Sequence, residues 1–535
     1  MAELVHVEFA ERCQRFPEQP FLATPPNPER AYLPEGLELT YAQAEVRVGQ
    51  LERVYREGGL GHGHRVALQL ENHPALFLHR LALQRLGASL VPLNPDHTVA
   101  ELRHVFERTR PELVVLFERH RARLEQAAGA VPLVRLEDFD RGLPGPRRPA
   151  PEGGAVGPRT ETCVLFTSGT TGQPKGCRFD HAYETAACEW YRTRGGRLAF
   201  RPGQERLYSP LPLFHSNTGV HAFLEMLATG GCLVTSDRFR SGRWWAEVHA
   251  ARATCLHYLG VIMAMLYQLP PSAEERNHQV RFAIGAGVEP TLHAAFEARF
   301  GFPLVEIWGM TEIMRYLCDQ HEPRQVGTRA FGRAQPGLEV RLVDDGGADV
   351  SPGQPGELLV RHSQATPRRG FFAGYLDEPE ATEQAWRGGW FHTGDVAVQD
   401  AGGGLHFFDR KKHLIRRAGQ NIAAAEVEAA LIAHPAVREV AVVPVPDPLR
   451  EEEVLACVVP SEGQVPGPAL ARALFDHALQ TLAYYKAPGW VLFVAAIPRT
   501  GSQKMMKYAL FPPGVDPRQA PGAVDLRAFK KRESP

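Results

Sequence analysis

The chain has 535 residues, 44% of them hydrophobic, which is enough apolar material for the cores of two to four domains. Lysine and arginine total 60 against 61 aspartates and glutamates, and the net charge of −1 gives no general attraction to nucleic acid or to an anionic membrane. The eight cysteines are scattered without a Cys-x-x-Cys pair, which predicts buried free thiols in a reducing cytosol rather than disulfides or a metal site.

Neither a secretion signal nor a membrane span is predicted. Residues 1–12 carry charges throughout and lack the apolar core of a signal peptide. The most apolar segment, 253–269, is interrupted by His257 and is too short to cross a bilayer comfortably, so we predict a buried helix there. These features predict a cytoplasmic protein with no membrane partner.

The first third of the chain alternates between helical and strand patterns. Apolar residues recur at helical spacing after residue 39, and a glycine-rich stretch then ends the helix. Such alternation predicts a mostly parallel sheet covered by helices, followed by a Pro-, Gly- and Arg-rich linker at 141–157. The predicted elements are strand 66–70, helix 74–86, strand 89–93, helix 99–108 and strand 113–117.

The segment 164–181, VLFTSGTTGQPKGCRFDH, combines a buried-strand pattern with a loop rich in hydroxyl groups and glycine. Glycines let successive N–H groups converge on phosphate oxygens, and hydroxyls and a lysine add donors. A plain glycine-rich turn is the alternative, whereas a Walker loop fails because Gly176 stands where Ser or Thr is required. The predicted phosphate-binding residues are Thr167, Ser168, Gly169, Thr170, Thr171, Gly172 and Lys175.

The second half of the chain shows two changes of pattern. Strands are predicted at 232–236, 256–259 and 280–284 and a helix at 244–252, after which short strands between 332 and 360 suggest a small antiparallel, barrel-like subdomain. From about residue 409 the pattern is that of a compact α+β unit, with a proline- and charge-rich tail after 511 that we expect to be loose. Its predicted elements are helix 424–433, strands 437–444 and 454–459, helix 468–481 and strand 490–494.

Four further stretches carry candidate chemical groups, each with a structural alternative. His215 lies in PLFHS at a predicted strand-to-helix junction, and taken alone it fits a satisfied core histidine better than a functional one. In IWGMTE, Trp308, Thr311 and Glu312 could stack on a base, bond a phosphate and hold Mg²⁺, or simply begin a helix. Asp395 follows a predicted tight glycine turn and could accept from ribose hydroxyls, or lie in a surface turn. The basic runs 409–412 and 416–417 predict solvated faces for Lys411 and Arg417.

Taken together and in this order, these stretches resemble the adenylate-forming superfamily, which comprises acyl- and aryl-CoA ligases, adenylation domains of peptide synthetases and firefly-type luciferases. The resemblance extends from residue 39 to residue 504. It implies an α/β fold with a large N-terminal domain, 1–409, of helix-covered, mostly parallel sheets plus the barrel-like subdomain. A small, mobile α+β domain, 410–535, would follow, with its hinge near Lys412.

The resemblance also implies roles for individual residues. Glu312 would hold Mg²⁺ and Thr311 would bond the α-phosphate, while His215 would gate the substrate carboxylate and Lys504 would be the catalytic lysine. The family usually has glycine before that lysine, where this chain has Gln503. The remaining implied contacts are Gly285, Ala286 and Gly287 along the adenine, Trp308 and Gly309 against it, Asp395 and Arg410 on the ribose, and Gly419, Gln420 and Asn421 on the CoA side.

The implied function is that of an AMP-forming acid–thiol ligase using ATP, Mg²⁺ and coenzyme A. It would convert a small carboxylic acid into acyl-AMP and then acyl-CoA. His215 stands where amino-acid-activating relatives have aspartate, which disfavours amino-acid substrates, and the stretches 282–288 and 410–425 look loosely like ligases for carnitine- or crotonobetaine-type acids. Two alternatives stay open: an adenylation enzyme that loads a carrier protein, and an inactive nucleotide-binding relative, for which Gln503 is the supporting feature.

Overall fold

A computed structural model describes residues 2–151, 153–167, 175–410, 414–417, 420–448, 450–499, 505–512 and 515–530, without the side chains of 416, 420, 421, 451 and 508. The chain forms two compact units. The first comprises residues 1–339 and 360–391, and the second comprises 340–359 and 392–535. The domain boundary between residues 409 and 410 remains a prediction, and its proposed hinge residue, Lys412, lies outside the described residues.

Strands and helices alternate along most of the chain. The strands are β1 (Pro20–Thr24), β2 (Leu37–Thr40), β3 (Arg65–Gln69), β4 (Ser89–Pro92), β5 (Leu113–Leu116), β6 (Leu133–Arg135), β7 (Glu161–Thr167), β8 (Lys175–Asp180), β9 (Arg206–Ser209), β10 (Cys232–Thr235), β11 (Cys255–Leu259), β12 (Phe282–Ala286), β13 (Leu304–Trp308), β14 (Leu317–Cys318), β15 (Glu339–Val343), β16 (Pro355–Arg361), β17 (Gly374–Tyr375), β18 (Phe391–Gln399), β19 (Leu405–Arg410), β20 (Leu414–Arg417), β21 (Gln420–Ala423), β22 (Val437–Asp447), β23 (Glu451–Pro460), β24 (Trp490–Phe493) and β25 (Val524–Asp525). The α-helices are α1 (Val5–Arg15), α2 (Tyr41–Glu57), α3 (Ala75–Arg85), α4 (Val99–Thr109), α5 (Arg121–Ala128), α6 (His181–Thr193), α7 (Phe223–Thr229), α8 (Trp244–Ala251), α9 (Gly260–Tyr267), α10 (Pro290–Phe300), α11 (Pro379–Ala385), α12 (Ala424–Ile432) and α13 (Pro468–Ala478).

The first unit is built on two large sheets. One has the strand order β14-β13-β12-β11-β9-β10-β1-β2, and the other has the order β17-β8-β7-β4-β3-β5-β6. Strands β3, β4 and β5 pair in parallel, as do β9, β10, β11, β12 and β13 in the other sheet. All four residues of β5 and of β10 are buried, which is what strands covered on both faces require. The predicted α/β class, with mostly parallel sheets, is confirmed.

Helix α6 begins where the β7–β8 hairpin ends. The carboxylate of Asp180 accepts the backbone N–H of Tyr183 at 2.8 Å, and this N-cap satisfies a donor of the first turn. The antiparallel register pairs Thr167 with Lys175 at the other end of the hairpin. The predicted phosphate loop therefore joins β7 to β8, and its residues Ser168, Gly169, Thr170, Thr171 and Gly172 lie outside the described part of the chain.

The second unit contains two smaller sheets. Strands β15, β16, β18 and β19 form a four-stranded sheet in that order. The other sheet runs β21-β20-β23-β24-β25, with β22 paired to β23, and helices α12 and α13 contribute to the core beside it. That core is made of alternate residues of the long β22–β23 hairpin, such as Val440 and Val442 facing Val458 and Ala456.

Two sequence predictions about this fold are wrong in detail. The single helix predicted over 253–269 is wrong, whereas the strand predicted at 256–259 is confirmed: residues 255–259 pair with β9 and β12 before Gly260 begins α9. A Cβ on Gly260 would lie 1.7 Å from the carbonyl oxygen of Gly287, so only glycine fits at this turn. The tail is also not loose over 515–530: Val524 pairs with Val491, and Lys530 is 7% exposed.

The prediction of buried free thiols is confirmed, since all eight cysteines are buried and free. Within the ranges that the structure describes, no helix has the length and apolar character of a membrane span. No group of three or more His, Cys, Asp or Glu side chains arranged to hold a metal ion is found in those ranges either.

Candidate active site

The loop after β13 holds Thr311 and Glu312 in a fixed position. Ile313 forms a bridge to Phe371, and the N–H of Phe372 donates to the carbonyl oxygen of Glu312 at 3.0 Å. Trp308, the last residue of β13, is 5% exposed and lies with its ring centroid 6.1 Å from that of Phe331. No helix begins in this loop, so the helix-start alternative for this stretch is excluded.

The Glu312 carboxylate is buried and oriented by a tyrosine. The hydroxyl of Tyr375 donates to Glu312 Oε1 at 2.8 Å, and Glu312 is only 6% exposed. Burial, together with the nearby Glu312 charge, raises the pKa of Tyr375, so the phenol keeps its proton and remains a donor. Burial and the same carboxylate also raise the pKa of the Cys177 thiol. The Tyr375 phenol and the Cys177 thiol, both beside the Glu312 carboxylate, therefore stay protonated and neutral.

Lys175, the first residue of β8, lies over the ring of the same tyrosine. Its ammonium is 4.9 Å from the centroid of the Tyr375 ring and 3.7 Å from Glu378 Oε2. Arg108 contacts the second oxygen of Glu378 at 2.9 Å, which leaves that carboxylate shared between two cations. Tyr375 therefore connects the base of the predicted phosphate loop to Glu312.

The predicted residues His215 and Thr311 belong to the same region. Ser216 Oγ lies 3.2 Å from Thr311 Oγ1, and the hydroxyl of Tyr183 donates to the Thr311 carbonyl at 2.6 Å. His215 lies between β9 and the π-helix Asn217–Ala222, and its carbonyl accepts the N–H of Gly219 at 3.0 Å. The predicted strand-to-helix junction at His215 is thereby confirmed.

The glycine stretch at the end of β12 is fixed by an acid that the sequence analysis missed. The N–H groups of Gly287 and Val288 donate to Glu306 Oε2 and Oε1 at 3.0 and 3.2 Å, and Tyr258 donates its hydroxyl to Oε1 at 2.6 Å. Burial raises the pKa of Glu306. The sequence did offer one sign of this role: Glu306 is the only charged residue within an otherwise apolar strand, LVEIW. Gly285 and Ala286 are the last two residues of β12, and Ala286 is exposed.

In the second unit, Asp395 and Arg410 are neighbours on adjacent strands. Their Cα positions pair in the β18–β19 register, and Arg410 Nε is 3.2 Å from Asp395 Oδ1. Asp395 is 5% exposed and donates its own N–H to Thr393 Oγ1 at 3.1 Å. The predicted turn is wrong, because this residue lies inside β18. Gly394 nonetheless has a φ of +71°, a conformation that favours glycine.

A buried charged cluster beneath the π-helix was also missed by the sequence analysis. Glu225 contacts Arg194 at 3.2 Å and His257 at 2.8 Å and also accepts from the hydroxyl of Tyr316, and all four side chains are buried. Burial alone would raise the pKa of Glu225, but His257 and Arg194 lower it to about 2. His257 was visible in the sequence as the polar residue that interrupts the most apolar segment.

Lys412, Gly419, Gln503 and Lys504 lie outside the described residues. Gln420 and Asn421 lie in β21, which pairs with β20, and their side chains are not described.

Gly309 follows Trp308, and a Cβ there would lie 3.0 Å from Tyr316 Cβ, which makes this a close approach.

Arg417 contradicts the sequence prediction of a solvated basic face. It is 5% exposed, and its Nε lies 2.8 Å from Glu453 Oε2. The reason is the strand register: Arg417 pairs with Glu451 at the edge between β20 and β23, where the side chain turns into the unit beside Glu453.

Comparison with known proteins agrees with this architecture. The AMP-binding enzyme family matches residues 9–376, and the AMP-binding enzyme C-terminal domain matches residues 426–504. A sulfoacetate–CoA ligase of Cupriavidus necator is 31% identical, with 94% of this chain and 96% of that protein covered, and a feruloyl-CoA synthase of Amycolatopsis is 32% identical over 88% and 93%. The ATP-bound structure of MatB from Rhodopseudomonas palustris superposes with a TM-score of 0.78 at 26% identity, covering 95% of this chain and 98% of that one. The chain therefore belongs to the AMP-binding enzyme family, the adenylate-forming superfamily that its motifs resemble, among relatives that are acid–CoA ligases.

Proposed function

We propose that this chain is an ATP-dependent carboxylic acid–CoA ligase, which forms acyl-AMP and pyrophosphate and then acyl-CoA and AMP. The observation that carries the proposal is the convergence of Lys175, Tyr375 and Glu312 at the base of the predicted phosphate loop. Near-full-length similarity to relatives named as CoA ligases supports the same chemistry. The free buried cysteines support a cytoplasmic location.

The first half-reaction must overcome repulsion between two anions. A substrate carboxylate oxygen attacks the α-phosphorus of ATP, a C–O–P bond forms, and the bond to the bridging oxygen breaks as pyrophosphate leaves. We assign the positive charge that offsets this repulsion to Lys175 on the β- and γ-phosphates and to Lys504 between carboxylate and α-phosphate. Thr311 donates its hydroxyl to the α-phosphate. This is catalysis by positioning and charge stabilisation, with no covalent enzyme intermediate.

Glu312 is the proposed magnesium ligand. Mg²⁺ in nucleotide sites is held by one or two carboxylates together with substrate phosphates, so a single buried, oriented carboxylate fits this ion. The absence of a larger acidic or histidine cluster among the described residues is consistent with that donor set. When bound, Mg²⁺ would neutralise phosphate charge. The protein's own contribution is to hold the carboxylate still, through the hydrogen bond from Tyr375.

The nucleoside contacts are proposed for two further places. Trp308 offers an aromatic face to the adenine, beside the backbone of Gly285 to Gly287, which the Glu306 carboxylate holds. Asp395 and Arg410 bind the ribose hydroxyls, for which a carboxylate acceptor paired with a guanidinium donor is a suitable combination.

In the second half-reaction the CoA thiolate attacks the acyl carbon, the thioester bond forms, and AMP leaves with the electron pair of the broken C–O bond. We assign the hinge for this step to Lys412 and the CoA-side loop to Gly419, Gln420 and Asn421. His215 is proposed to gate the carboxylate. These assignments rest on the resemblance of the motifs.

The experiment that tests the proposal is acid-dependent pyrophosphate release from ATP and Mg²⁺, measured over a panel of carboxylic acids with and without CoA. We expect release that depends on one class of acid and is accompanied by consumption of CoA. Acid-dependent release without CoA consumption would instead support loading of a carrier protein. No release with any acid would contradict the proposed function and favour an inactive nucleotide-binding protein.

A further inference from the structure

The turn between β17 and helix α11 holds Glu378 in a fixed position. Thr382 Oγ1 accepts the backbone N–H of Tyr375 at 2.9 Å and donates to the carbonyl oxygen of Glu378 at 3.0 Å. Asp377, which lies between the two, has a φ of +53°, a left-handed conformation that is uncommon for residues other than glycine. Such a conformation persists only where the surrounding structure holds it, so the fold itself directs the backbone of Glu378.

The Glu378 carboxylate lies between two cations that it does not hold equally. Oε1 accepts from Arg108 Nη2 at 2.9 Å, and the Arg108 guanidinium also donates to the carbonyl oxygen of Leu376. Oε2 lies 3.7 Å from the ammonium of Lys175, which is too long for a hydrogen bond. Arg108 is therefore bound to the carboxylate, whereas Lys175 is drawn towards it without being bound.

This carboxylate is close enough to Lys175 to weaken the binding of an anion there. A phosphate oxygen bonded to the ammonium would lie about 2.8 Å from it, and so no more than about 6.5 Å from Glu378 Oε2. The Lys175 and Glu378 side chains are 23% and 30% exposed, so water screens the interaction partly. For an effective dielectric constant between about 40 and about 80, one unit charge at this distance changes the affinity for an anion by about three- to tenfold.

We infer that Glu378 is a positioning residue that competes with the β- and γ-phosphates for Lys175, and that it thereby weakens the binding of ATP and promotes the release of pyrophosphate. This inference rests on the proposed function, from which it takes the assignment of Lys175 to those phosphates. Pyrophosphate forms with its charge still on the ammonium, and the carboxylate offers the ammonium another partner as the product leaves. Arg108 limits the competition, because without it Glu378 would draw Lys175 away from the phosphates more strongly.

The test is equilibrium binding of Mg²⁺ with α,β-methylene-ATP, which cannot release pyrophosphate, measured by calorimetry and compared with the binding of AMP. Glu378→Gln keeps the shape of the side chain and removes its charge. The Kd for the ATP analogue should fall about three- to tenfold in this variant. The Kd for AMP, which lacks the β- and γ-phosphates, should stay unchanged. In turnover, the inhibition constant of pyrophosphate should fall by the same factor as the Kd for the analogue.

The Arg108 variant has the opposite expected effect. Arg108→Gln should raise the Kd for the ATP analogue, and adding Glu378→Gln to it should reverse that rise, because the carboxylate that competes for the lysine is then gone. A purely structural role of Arg108 would lower thermal stability, and the loss of binding would persist in the double variant. Persistence of the weakened binding in that double variant would therefore overturn the role assigned to Arg108.

The matched control is a second carboxylate of the same segment. Glu383→Gln, in helix α11, breaks an exposed ion pair with Arg368 at 2.6 Å and should leave both Kd values unchanged. Unchanged or weaker binding of the ATP analogue in Glu378→Gln, or an equal gain for AMP, would overturn the inference. Absence of pyrophosphate release with every acid would contradict the ligase function, whereas the Kd comparison needs no turnover and tests Glu378 by itself.

Discussion

The hydroxyl of Tyr375 donates to Glu312 Oε1 at 2.8 Å while the ring of the same tyrosine lies 4.9 Å from the Lys175 ammonium. One neutral side chain thus separates the cation at the phosphate loop from the carboxylate proposed to bind magnesium. Without it, Lys175 and Glu312 could form an ion pair with each other, and neither would then be available to ATP. Tyr375 is therefore a positioning residue for both charges.

Tyr375→Phe removes the hydrogen bond and keeps the ring. We expect adenylation to fall by about tenfold, the effect of losing one hydrogen bond to a charged group, and the Mg²⁺ concentration for half-maximal rate to rise. Thioester formation from supplied acyl-AMP should be unchanged. Tyr55→Phe is the matched control, because it removes another buried tyrosine hydroxyl, at 2.7 Å from His79. Equal Mg²⁺ dependence in the wild type and Tyr375→Phe would contradict the positioning role.

The Asp395–Arg410 pair predicts selectivity for the ribose hydroxyls of ATP. Asp395→Asn removes the charge and half of the acceptor capacity, so the KM for ATP should rise roughly tenfold. The sharper readout is the ratio of KM for 2′- or 3′-deoxy-ATP to that for ATP, which should approach one in the variant. Asp349→Asn, which alters an ion pair with Arg341 at an exposed aspartate, should leave the ratio as in the wild type. Equal KM values of the wild-type enzyme for deoxy-ATP and ATP would contradict the assignment.

Lys504 is predicted to serve adenylation and not the thioester step. Lys504→Ala should abolish acyl-AMP formation, because no ammonium then bridges the carboxylate and α-phosphate, while thioester formation from supplied acyl-AMP survives. Lys486→Ala, at another lysine of the C-terminal region paired with Glu426 at 2.6 Å, should retain both half-reactions. If both half-reactions fell equally in Lys504→Ala, the role assigned to this lysine would be wrong.

The sequence alone predicts most of the elements but few of the contacts between them. Periodicity indicates the parallel strands and helices because each depends on neighbouring residues. The Tyr375–Glu312 hydrogen bond joins residues 63 positions apart, and no local pattern marks it. Arg417 shows the opposite failure: its sequence neighbours suggest solvent, while its strand register turns it towards Glu453. In 253–269, five paired strand residues outweigh an apolar pattern that also fits a helix.

Acid sensitivity follows from buried neutral histidines in the first unit. Burial lowers the pKa of His79 and His181 to about 3 and that of His6, His73 and His221 to about 4. In the unfolded chain these groups take up protons below about pH 6.5, whereas in the folded chain they do not. The free energy of unfolding is therefore unaffected by these histidines above about pH 6.5. It falls as the pH falls towards 4, by up to about 7 kcal/mol per pH unit.

Because total stabilities are on the order of 5–15 kcal/mol, we expect acid unfolding of this unit with a midpoint at about pH 5. Circular dichroism and tryptophan fluorescence would give the midpoint, and proton uptake measured in weak buffer should approach about five per molecule. The carboxylate of Glu225, paired with Arg194 and His257, has a pKa of about 2. Its protonation therefore lowers the free energy of unfolding only below about pH 4.5. His79→Gln should reduce uptake by one proton. A midpoint below pH 4 without proton uptake would contradict this account.

Glu453 holds two buried cations in the second unit, and its removal should be strongly destabilising. Lys530 Nζ lies 2.6 Å from Glu453 Oε1 and Arg417 Nε lies 2.8 Å from Oε2, with the carboxylate itself fully buried. Burial lowers the pKa of Lys530 to about 8, whereas the Glu453 carboxylate favours the charged ammonium. Glu453→Gln would leave both cations without a counter-charge in a dry environment.

We expect Glu453→Gln to lower the free energy of unfolding of this unit by about 3–5 kcal/mol, the usual effect of breaking a buried ion pair from one side. Urea unfolding followed by circular dichroism would measure it. Asp476→Asn, which breaks the exposed Arg472–Asp476 pair, should lower the free energy of unfolding by less than about 1 kcal/mol. Replacing Arg417, Glu453 and Lys530 together by apolar residues should recover most of the loss, since it removes the charges as well as their pairing. A loss in Glu453→Gln no larger than in Asp476→Asn would mean that water reaches these cations and would contradict the prediction.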